Sequence, residues 1–421
     1  MDLRLVCLAA VVVLCAAEPR RYDGYKVFRI TPNSDDDMKA LKKLKSVVED
    51  KVDFWRDIRA VGSPVDIMVS PQMEKLLANI AKEYKLDVDV AIEDIQPLFD
   101  DQMKHSREMS AKGIIGGGSF DYTEYHTLDE INTWIEDIVS TYPALVKKVP
   151  VGSSYEGRNI YALKLGSSKL DKPIVWLEGG IHSREWVSPA TMIYITHELV
   201  SKYGKDTDIT TLMDGLHFYI IPVFNVDGYE YTWTSDRMWR KTRSPNNRCV
   251  GTDPNRNWDY HWSDPGASAN PCSDLYYGSN AFSEIELKSV TNYMNPLKED
   301  IRVFIDFHAY SQMWMSPWSY TKDLPDTEDY NDQINLQAKA VEALTAVYGT
   351  KYTQGTIANT IYEASGSSID WAYGTLGVKY SYAVELRDEG TYGFTLPARF
   401  IEPTAIETFE AVKVIANKVN Y

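Results

Sequence analysis

The chain is poor in cysteine, carries no N-glycosylation sequon and has no long apolar run beyond its N-terminus. Its 421 residues include 4 cysteines and no Asn-x-Ser or Asn-x-Thr triplet, so N-glycosylation is not expected. After residue 17, no stretch approaches the roughly 18 to 20 apolar residues that a membrane span needs. Acidic residues are in excess, and the formal net charge of −16 argues against nucleic acid or an anionic membrane surface as a partner.

Motifs of several common enzyme classes are also absent. His197-Glu198 lacks the second histidine of a His-Glu-x-x-His zinc motif, and no Gly-x-Ser-x-Gly elbow occurs, which argues against a serine hydrolase. The glycine run at 116–118 has no Lys-Ser or Lys-Thr partner to bind phosphate. No cysteine has the context of a thiol-protease nucleophile. The chemistry must therefore come from other residues.

Residues 1–17 have the features of a secretory signal peptide. Arg4 precedes an apolar core, and small residues end the segment at Cys15-Ala16-Ala17. We therefore expect an exported, soluble protein. Two of the cysteines would leave with the signal, and the remaining pair, Cys249 and Cys272, is expected to form a disulfide in an oxidising compartment. In the loop-entropy model, that crosslink would contribute roughly 3 kcal/mol.

The region after the signal predicts a small α+β domain. A strand near Tyr25 is followed by a helix capped at Ser34, two strands, a helix with Ser70 as N-cap, and a last strand near Val88. This order favours an antiparallel sheet with helices on one face. A connecting helix over 96–109 then leads into a glycine-rich break.

The glycine-rich break over 112–118 has two interpretations. It is either a linker between domains or the end of a removable pro-segment, with Arg107 and Lys112 as candidate tryptic sites. The residues alone leave both open.

The remainder predicts a larger α/β domain that starts near Ser119. Runs of β-branched and aromatic residues, such as 174–179, 216–224 and 301–307, suit strands buried on both faces of a mixed, mostly parallel sheet with helices on both sides. An amphipathic helix is expected to follow Trp186, and long helices are expected over 328–348 and 403–419.

Two strands of this domain are followed by possible metal ligands. His182 and Glu185 come directly after the strand that begins at Pro173, and His308 ends the strand that begins at Val303. Ligands in open α/β sheets gather at the carboxyl ends of strands. Two histidines and a glutamate there suit a zinc ion with a fourth position left for water. Spacing alone leaves open the alternative that both histidines are hydrogen-bonded structural residues.

A set of motifs, in order along the whole chain, resembles the zinc carboxypeptidase A/B family. The motifs are His182-Ser-Arg-Glu185-Trp, Arg240-Lys-Thr-Arg, Asp253-Pro-Asn255-Arg256-Asn-Trp, His308-Ala-Tyr310-Ser-Gln, Ile361-Tyr362-Glu-Ala-Ser-Gly and Val384-Glu385-Leu-Arg-Asp. The resemblance implies a carboxypeptidase-like fold with a signal peptide at 1–17, a pro-domain at 18–112 and a catalytic domain at 113–421. It also implies that Cys249 pairs with Cys272.

The same resemblance implies the catalytic roles. His182, Glu185 and His308 would hold one zinc ion. Glu385 would be the general base that takes a proton from the attacking water. Arg240 would stabilise the oxyanion of the scissile carbonyl, a contribution that is often about 3 kcal/mol.

Five further residues match substrate contacts of the family. Asn255, Arg256 and Tyr362 would hold the terminal carboxylate of the substrate, which makes the enzyme an exopeptidase because an internal bond offers no such group. Arg184 and Tyr310 match residues that line other subsites.

The pocket for the terminal side chain is expected to be apolar. Ile369 occupies the position where the basic-specific members of the family carry an acid, and Ile357 and Ala383 line the same pocket. An apolar or aromatic C-terminal residue is therefore expected. Asp370 stands next to Ile369, and a shift of one residue in the match would reverse the preference.

The sequence thus predicts a secreted, monomeric zinc exopeptidase made as a zymogen. Peptide and protein C-termini would be its substrates, and a trypsin-like protease would activate it by cutting near Arg107 or Lys112. Until then its own pro-domain would inhibit it. Two alternatives remain: a carboxypeptidase for basic C-terminal residues, and a non-catalytic binding protein on the same fold.

Overall fold

A computed structural model describes residues 18–48, 51–111, 120–168 and 172–420. The predicted signal peptide, the glycine-rich break over 112–118 and the candidate cleavage site Lys112 lie outside the described residues. Within them, no helix is long and apolar enough to cross a membrane.

The described residues form two sheets and the helices that cover them. The strands are β1 (Lys26–Ile30), β2 (Asp53–Arg56), β3 (Val65–Val69), β4 (Asp89–Ile92), β5 (Val146–Ser153), β6 (Asn159–Leu165), β7 (Ile174–Gly179), β8 (His217–Ile221), β9 (Ile301–Ala309), β10 (Met313–Ser316), β11 (Thr353–Thr356) and β12 (Tyr380–Leu386). The helices are α1 (Asp35–Val48), α2 (Pro71–Glu83), α3 (Gln96–Gln102), α4 (Lys104–Ala111), α5 (Leu128–Thr141), α6 (Val187–Lys202), α7 (Thr207–Gly215), α8 (Val226–Thr234), α9 (Ile285–Met294), α10 (Thr327–Tyr348), α11 (Ile357–Thr360), α12 (Ser368–Gly374) and α13 (Ile401–Val419).

The N-terminal sheet has the strand order β2-β3-β1-β4, and its neighbouring strands are antiparallel. Alternate residues of β3 point to opposite faces, as in any strand. Val65, Ile67 and Val69 pack with buried residues of α1 and α2, whereas Met68 packs into the core of the larger domain. The predicted antiparallel sheet with helices on one face is confirmed, and its other face lies against the larger domain.

The large sheet has the order β11-β10-β12-β9-β7-β8-β6-β5. Its centre, β12-β9-β7-β8, is parallel, while β5, β6 and β10 pair antiparallel with their inner neighbours. All residues of β7 and β8 are buried, as their continuous apolar runs require. The predicted α/β class is confirmed. The short strands β10 and β11 were not predicted.

Two helices differ from expectation. The connecting helix over 96–109 is two helices, α3 and α4, which are separated at Met103. The prediction that α6 is amphipathic is wrong, because residues 187–196 are all buried. This helix packs between the central strands and α13, so it has no broad solvent face on which polar residues would be needed.

Candidate metal centre and substrate pocket

Three adjacent parallel strands bring the predicted site residues to one edge of the large sheet. In the β7–β9 pairing, Gly179, the last residue of β7, lies opposite Phe307. The turn that carries His182 therefore begins beside His308, which follows Phe307 on β9. In the β9–β12 pairing, Glu385 lies directly opposite His308. The register of the sheet therefore places two candidate ligands and the candidate base together.

His182, Glu185 and His308 form a compact, buried group. The Nδ1 atom of His182 lies 2.9 Å from Glu185 Oε1, and His308 Nδ1 lies 3.1 Å from Glu185 Oε2. The two Nδ1 atoms are 3.1 Å apart. Ligands placed ~2.0–2.1 Å from a tetrahedral zinc ion would be separated by about 3.3 Å. The donor set and its spacing therefore fit zinc, and this group of three can hold a metal ion.

Charge in this group favours a cation. Burial alone would raise the pKa of Glu185, but His182 and His308 outweigh burial and lower it. Burial alone would lower the pKa of His308, yet Asp306 and Glu185 raise it well above its ordinary value. The carboxylates that attract a proton to this group would equally attract a metal cation.

Asp253 is a site residue that the motif match did not assign. Its Oδ1 atom lies 3.0 Å from His182 Nε2, and its Oδ2 accepts a 2.9 Å hydrogen bond from Arg240. Burial would raise the pKa of Asp253, but Arg240 and His182 hold it well below the usual range. Asp253 thus stays ionised and orients both partners. Its place at the head of the Asp-Pro-Asn255-Arg256 motif was the only signal in the sequence.

Arg240 and Glu385 face the metal-ligand group from different elements. Arg240 Nη1 lies 3.6 Å from Glu185 Oε1, and the ion pair with Asp253 fixes the guanidinium in this position. Burial would lower the pKa of Arg240, whereas Asp253 and Glu185 raise it, so the group is cationic. Burial raises the pKa of Glu385 to about 7, in the range of a carboxyl group that can exchange protons near neutral pH.

Asn255 and Arg256 lie in a short 3₁₀ turn, Pro254–Arg256, at the side of the same pocket. The Asn255 side-chain oxygen accepts a 2.8 Å hydrogen bond from the Ser368 amide. Arg256 donates from Nε to the Gly266 carbonyl at 3.0 Å and from Nη1 to the Asn255 carbonyl at 2.7 Å. These bonds hold the guanidinium and the amide in fixed positions beside the pocket.

The pocket wall next to these polar groups is apolar. Ile357, Ile369 and Ala383 all line it. Asp370, by contrast, is fully buried outside the lining and accepts hydrogen bonds from the Ser319 and Tyr320 amides at 2.9 Å each. Asp370 therefore holds the loop at Ser319 and Tyr320, and Ile369 is the residue that faces the pocket.

All the residues predicted to bind metal, to act in catalysis or to contact substrate, except Arg184, line this one pocket. In addition to those described above, Tyr310 and Tyr362 belong to it. Arg184 lies in an adjoining cavity, where it forms a 2.8 Å ion pair with Asp53.

Residues of the N-terminal domain cover the pocket. Trp55, Arg56, Asp57 and Arg59 contribute to its lining. Arg59 donates a 3.1 Å hydrogen bond to Ser311 Oγ, next to Tyr310 in the chain. This coverage was expected of a pro-domain, but its individual contacts could not be read from the sequence.

Cys249 and Cys272 form the expected disulfide. It closes the loop that follows the Arg240 segment and contains the Asp253–Arg256 motif. The crosslink therefore restrains the segment that carries several of the site residues.

Comparisons with known proteins agree with this geometry. Residues 131–411 match the family model described as zinc carboxypeptidase, and residues 28–102 match the carboxypeptidase activation peptide. Carboxypeptidase B of Astacus astacus is 51% identical over 302 residues, which are 71% of this chain and 98% of that protein. Carboxypeptidase A2 of Rattus norvegicus is 39% identical over 419 residues, 99% of either chain. The crystal structure of thrombin activatable fibrinolysis inhibitor superposes with a TM-score of 0.85 at 35% identity, covering 94% of this chain and 98% of that one.

Proposed function

The chain belongs to the zinc carboxypeptidase family and carries its activation peptide, and from this premise we propose that it is a secreted zymogen whose mature enzyme removes apolar or aromatic residues from peptide C-termini. As a family member it is a metallocarboxypeptidase, which argues against the alternative of a non-catalytic binding protein. The proposal adds the compartment, the roles of individual residues and the specificity.

One observation carries the proposal. The His182–Glu185–His308 group, Glu385 and Arg256 share a single pocket with an apolar wall. A carboxylate-binding guanidinium, a candidate base and a metal-ligand group are thus positioned around one substrate end. This combination suits the hydrolysis of a terminal peptide bond and offers no reason to accept an internal one.

We assign zinc to His182, Glu185 and His308, one ion per chain. When bound, it would supply Lewis-acid chemistry at the scissile carbonyl. The donors and their separations of 2.9 and 3.1 Å support the assignment.

The chain's own residues would carry out the remaining steps. The Glu385 carboxylate takes a proton from the attacking water and later delivers it to the leaving amine. Arg240 donates hydrogen bonds to the oxygen of the scissile carbonyl as negative charge develops there. Because Asp253 holds Arg240 at 2.9 Å, little reorganisation is needed when that charge appears.

Substrate binding would use two kinds of contact. Asn255, Arg256 and Tyr362 hold the terminal carboxylate, and the planar guanidinium can bind its two oxygens at once. Ile357, Ile369 and Ala383 then contact the terminal side chain. Burial of a large apolar side chain here contributes roughly 1.5–3 kcal/mol, which favours Phe, Tyr or Leu over a charged residue.

Replacement of the base tests the assignment of mechanism. Glu385→Gln keeps the shape of the side chain but cannot accept a proton, so hydrolysis is expected to fall by at least ~100-fold while zinc stays bound. The measurement is the release of a C-terminal residue from a synthetic peptide after limited trypsin treatment, with zinc content determined on the same sample. Full activity in this variant would contradict the assignment.

A second specificity is kept because of one relative. The Astacus astacus protein that is 51% identical is named carboxypeptidase B, a name used for enzymes of the basic-specific type. Peptides that differ only in ending with Phe or with Arg distinguish the two proposals. A higher kcat/KM for the Arg peptide would replace the apolar preference by the basic one.

Activation is proposed to require a cut at the end of the pro-domain, near Arg107 or Lys112. Arg107 lies on α4 with an exposed side chain that pairs with Asp100 at 2.9 Å, and a trypsin-like protease cuts after such a residue. Sequencing the N-terminus of the mature enzyme would identify the bond.

A further inference from the structure

The two candidate zinc histidines are each flanked by a buried aspartate on the side away from the metal-ligand group. His182 has Asp253 at 3.0 Å from Nε2, and His308 has Asp306 Oδ2 at 3.1 Å from its own Nε2. Both aspartates are fully buried. Asp306 lies two residues before His308 on β9, so both side chains point to the same face of the strand.

The donor and acceptor roles around His308 single out Asp306. If Nδ1 binds a metal, Nε2 carries the ring proton and needs an acceptor. Two groups lie 3.1 Å from Nε2, the Asp306 carboxylate and the amide nitrogen of Asn255. The Asn255 oxygen already accepts from the Ser368 amide, so its nitrogen is turned to the ring and can only donate. Among the residues that the structure describes, Asp306 is the remaining acceptor.

Asp306 is itself held in place. Ser368 Oγ donates a 2.6 Å hydrogen bond to its Oδ2, and Ser368 lies at the start of α12, next to Ile369. Its other oxygen, Oδ1, has no hydrogen-bond partner among the described residues. A carboxylate kept in this buried position without full satisfaction costs stability, which is consistent with a functional reason for its presence.

We propose that Asp306 is a positioning residue for His308: its carboxylate accepts a hydrogen bond from the protonated Nε2, holds the ring with Nδ1 toward the ion, and strengthens that nitrogen as a ligand. The inference rests on the proposed zinc assignment. Partners of this kind typically change metal affinity by about 10- to 100-fold when they are removed.

The test compares zinc affinity among variants of the full-length chain. Zinc dissociation constants are measured by competition with a chelator for the wild type, Asp306→Ala and Asp306→Asn. Asp306→Ala is expected to bind zinc about 10- to 100-fold more weakly. Asp306→Asn keeps an oxygen that can accept from Nε2 and should retain most of the affinity. If Asp306→Ala does not accumulate as folded protein, Asp306→Ser replaces it in the comparison.

Glu178 supplies a matched control. It is another fully buried carboxyl group, lies opposite Asp306 in the β7–β9 register, and is bonded to Trp176 Nε1 at 2.9 Å. Glu178→Gln should leave zinc affinity unchanged. If Glu178→Gln and Asp306→Ala lose zinc affinity equally, any disturbance of this core weakens zinc binding, and the proposal is overturned.

The remaining outcomes separate this inference from the proposed function. Wild-type zinc affinity in Asp306→Ala, in a chain that hydrolyses peptides, overturns the positioning role alone. A wild type that binds zinc but does not hydrolyse peptides contradicts the proposed function, while the affinities still decide the role of Asp306. A wild type that binds no zinc overturns both.

Discussion

Ile369 is the single side chain on which the proposed specificity depends most. It is 1% exposed and faces the pocket that Arg256 shares. The acid next to it, Asp370, accepts hydrogen bonds from the Ser319 and Tyr320 amides. It cannot move away from them without leaving buried amide donors unpaired. An apolar pocket gives no compensation for burying a charged C-terminal side chain.

Placing an acid at this position should reverse the preference. In Ile369→Asp, a C-terminal Arg gains a buried ionic partner and a C-terminal Phe meets an unpaired charge. The ratio of kcat/KM for Phe and Arg peptides is expected to move toward Arg by roughly 30-fold or more, which corresponds to about 2 kcal/mol. The measurement uses trypsin-treated enzyme and peptides that differ only in the last residue.

Asp370→Asn is the matched control for this change. It alters the neighbouring buried side chain, and it should lower stability while leaving the Phe-to-Arg ratio as in the wild type. A change of preference in Asp370→Asn, with none in Ile369→Asp, would mean that the acid rather than the isoleucine serves the pocket.

Among the elements, helix α5 shows how the start of the catalytic part is linked to the pro-domain. Thr127 and Glu130 form a capping box, in which Glu130 accepts from the Thr127 amide at 2.8 Å. Glu130 also accepts a 2.8 Å hydrogen bond from Ser106 on α4. Burial alone would raise the pKa of Glu130, but His126, Thr127 and Ser106 outweigh burial and lower it to about 2.

The capping carboxylate should stabilise the fold only while it is ionised. Glu130→Ala is expected to lower the free energy of unfolding at pH 7 by about 1 kcal/mol, since the carboxylate is only partly buried and solvent screens its charge. Its pKa is about 2 in the folded state and 4.5 for the ordinary group. The difference between wild type and variant should therefore be complete above pH 4.5 and shrink as the pH falls toward 2.

Denaturant unfolding at several pH values measures this difference. Glu136→Ala changes a glutamate on the same helix whose ion pair with Lys148 is exposed, so it should have little effect at any pH. A Glu130→Ala deficit that is independent of pH would show that lost packing, and not the charge, causes it.

Across the whole molecule, the pro-domain is attached to the catalytic domain through a buried carboxylate. Asp66 on β3 accepts two hydrogen bonds from Arg29, at 2.7 and 2.9 Å, and one from the Tyr310 hydroxyl at 2.9 Å. Arg29 in turn donates to the Gly390 carbonyl at 2.7 Å. Tyr310 is thus bonded to Asp66 of the pro-domain, and Arg184 forms its ion pair with Asp53 of the same domain. Both Tyr310 and Arg184 match residues that line substrate subsites in the family.

Removal of the Asp66 charge should loosen this attachment. A hydrogen bond to a charged group contributes about 1.5–3 kcal/mol, so in Asp66→Ala the uncleaved chain is expected to hydrolyse a small C-terminal substrate about 10- to 100-fold faster than the uncleaved wild type. Electrophoresis of the assayed sample must show that it remains uncut. Activity equal to that of the uncleaved wild type would contradict the inhibitory role of this contact.

Asp36→Asn provides the comparison for the Asp66 experiment. Asp36 lies on α1 of the same domain and forms an exposed ion pair with Lys39 at 2.8 Å. Such pairs contribute little, so its loss should leave the uncleaved chain as inactive as the wild type.

Local pattern predicted most of the elements but missed those with weak signals. The long apolar runs of β7, β8 and β9 and the start of α2 at Pro71 were predictable, because the spacing of apolar residues and the preference for proline at the first helical position are local properties. The Ser70 side chain, expected to cap α2, makes no capping hydrogen bond. Strand β11, Thr-Gln-Gly-Thr over Thr353–Thr356, has no such pattern and is a strand because β10 pairs with it. The burial of α6 depends on α13, about 200 residues away in the chain.

The sequence by itself determined the class of protein and the chemical groups of the site, since the motifs name two histidines, two glutamates and three arginines in a fixed order. The tertiary structure decided which groups meet. It placed Asp253 and Asp306 behind the two histidines, turned Asp370 away from the pocket, and paired Arg184 with Asp53. The physical reason is that the orientation of a buried charged group, and the free energy of burying it, depend on the partners around it. These partners come together only when strands distant in the chain align.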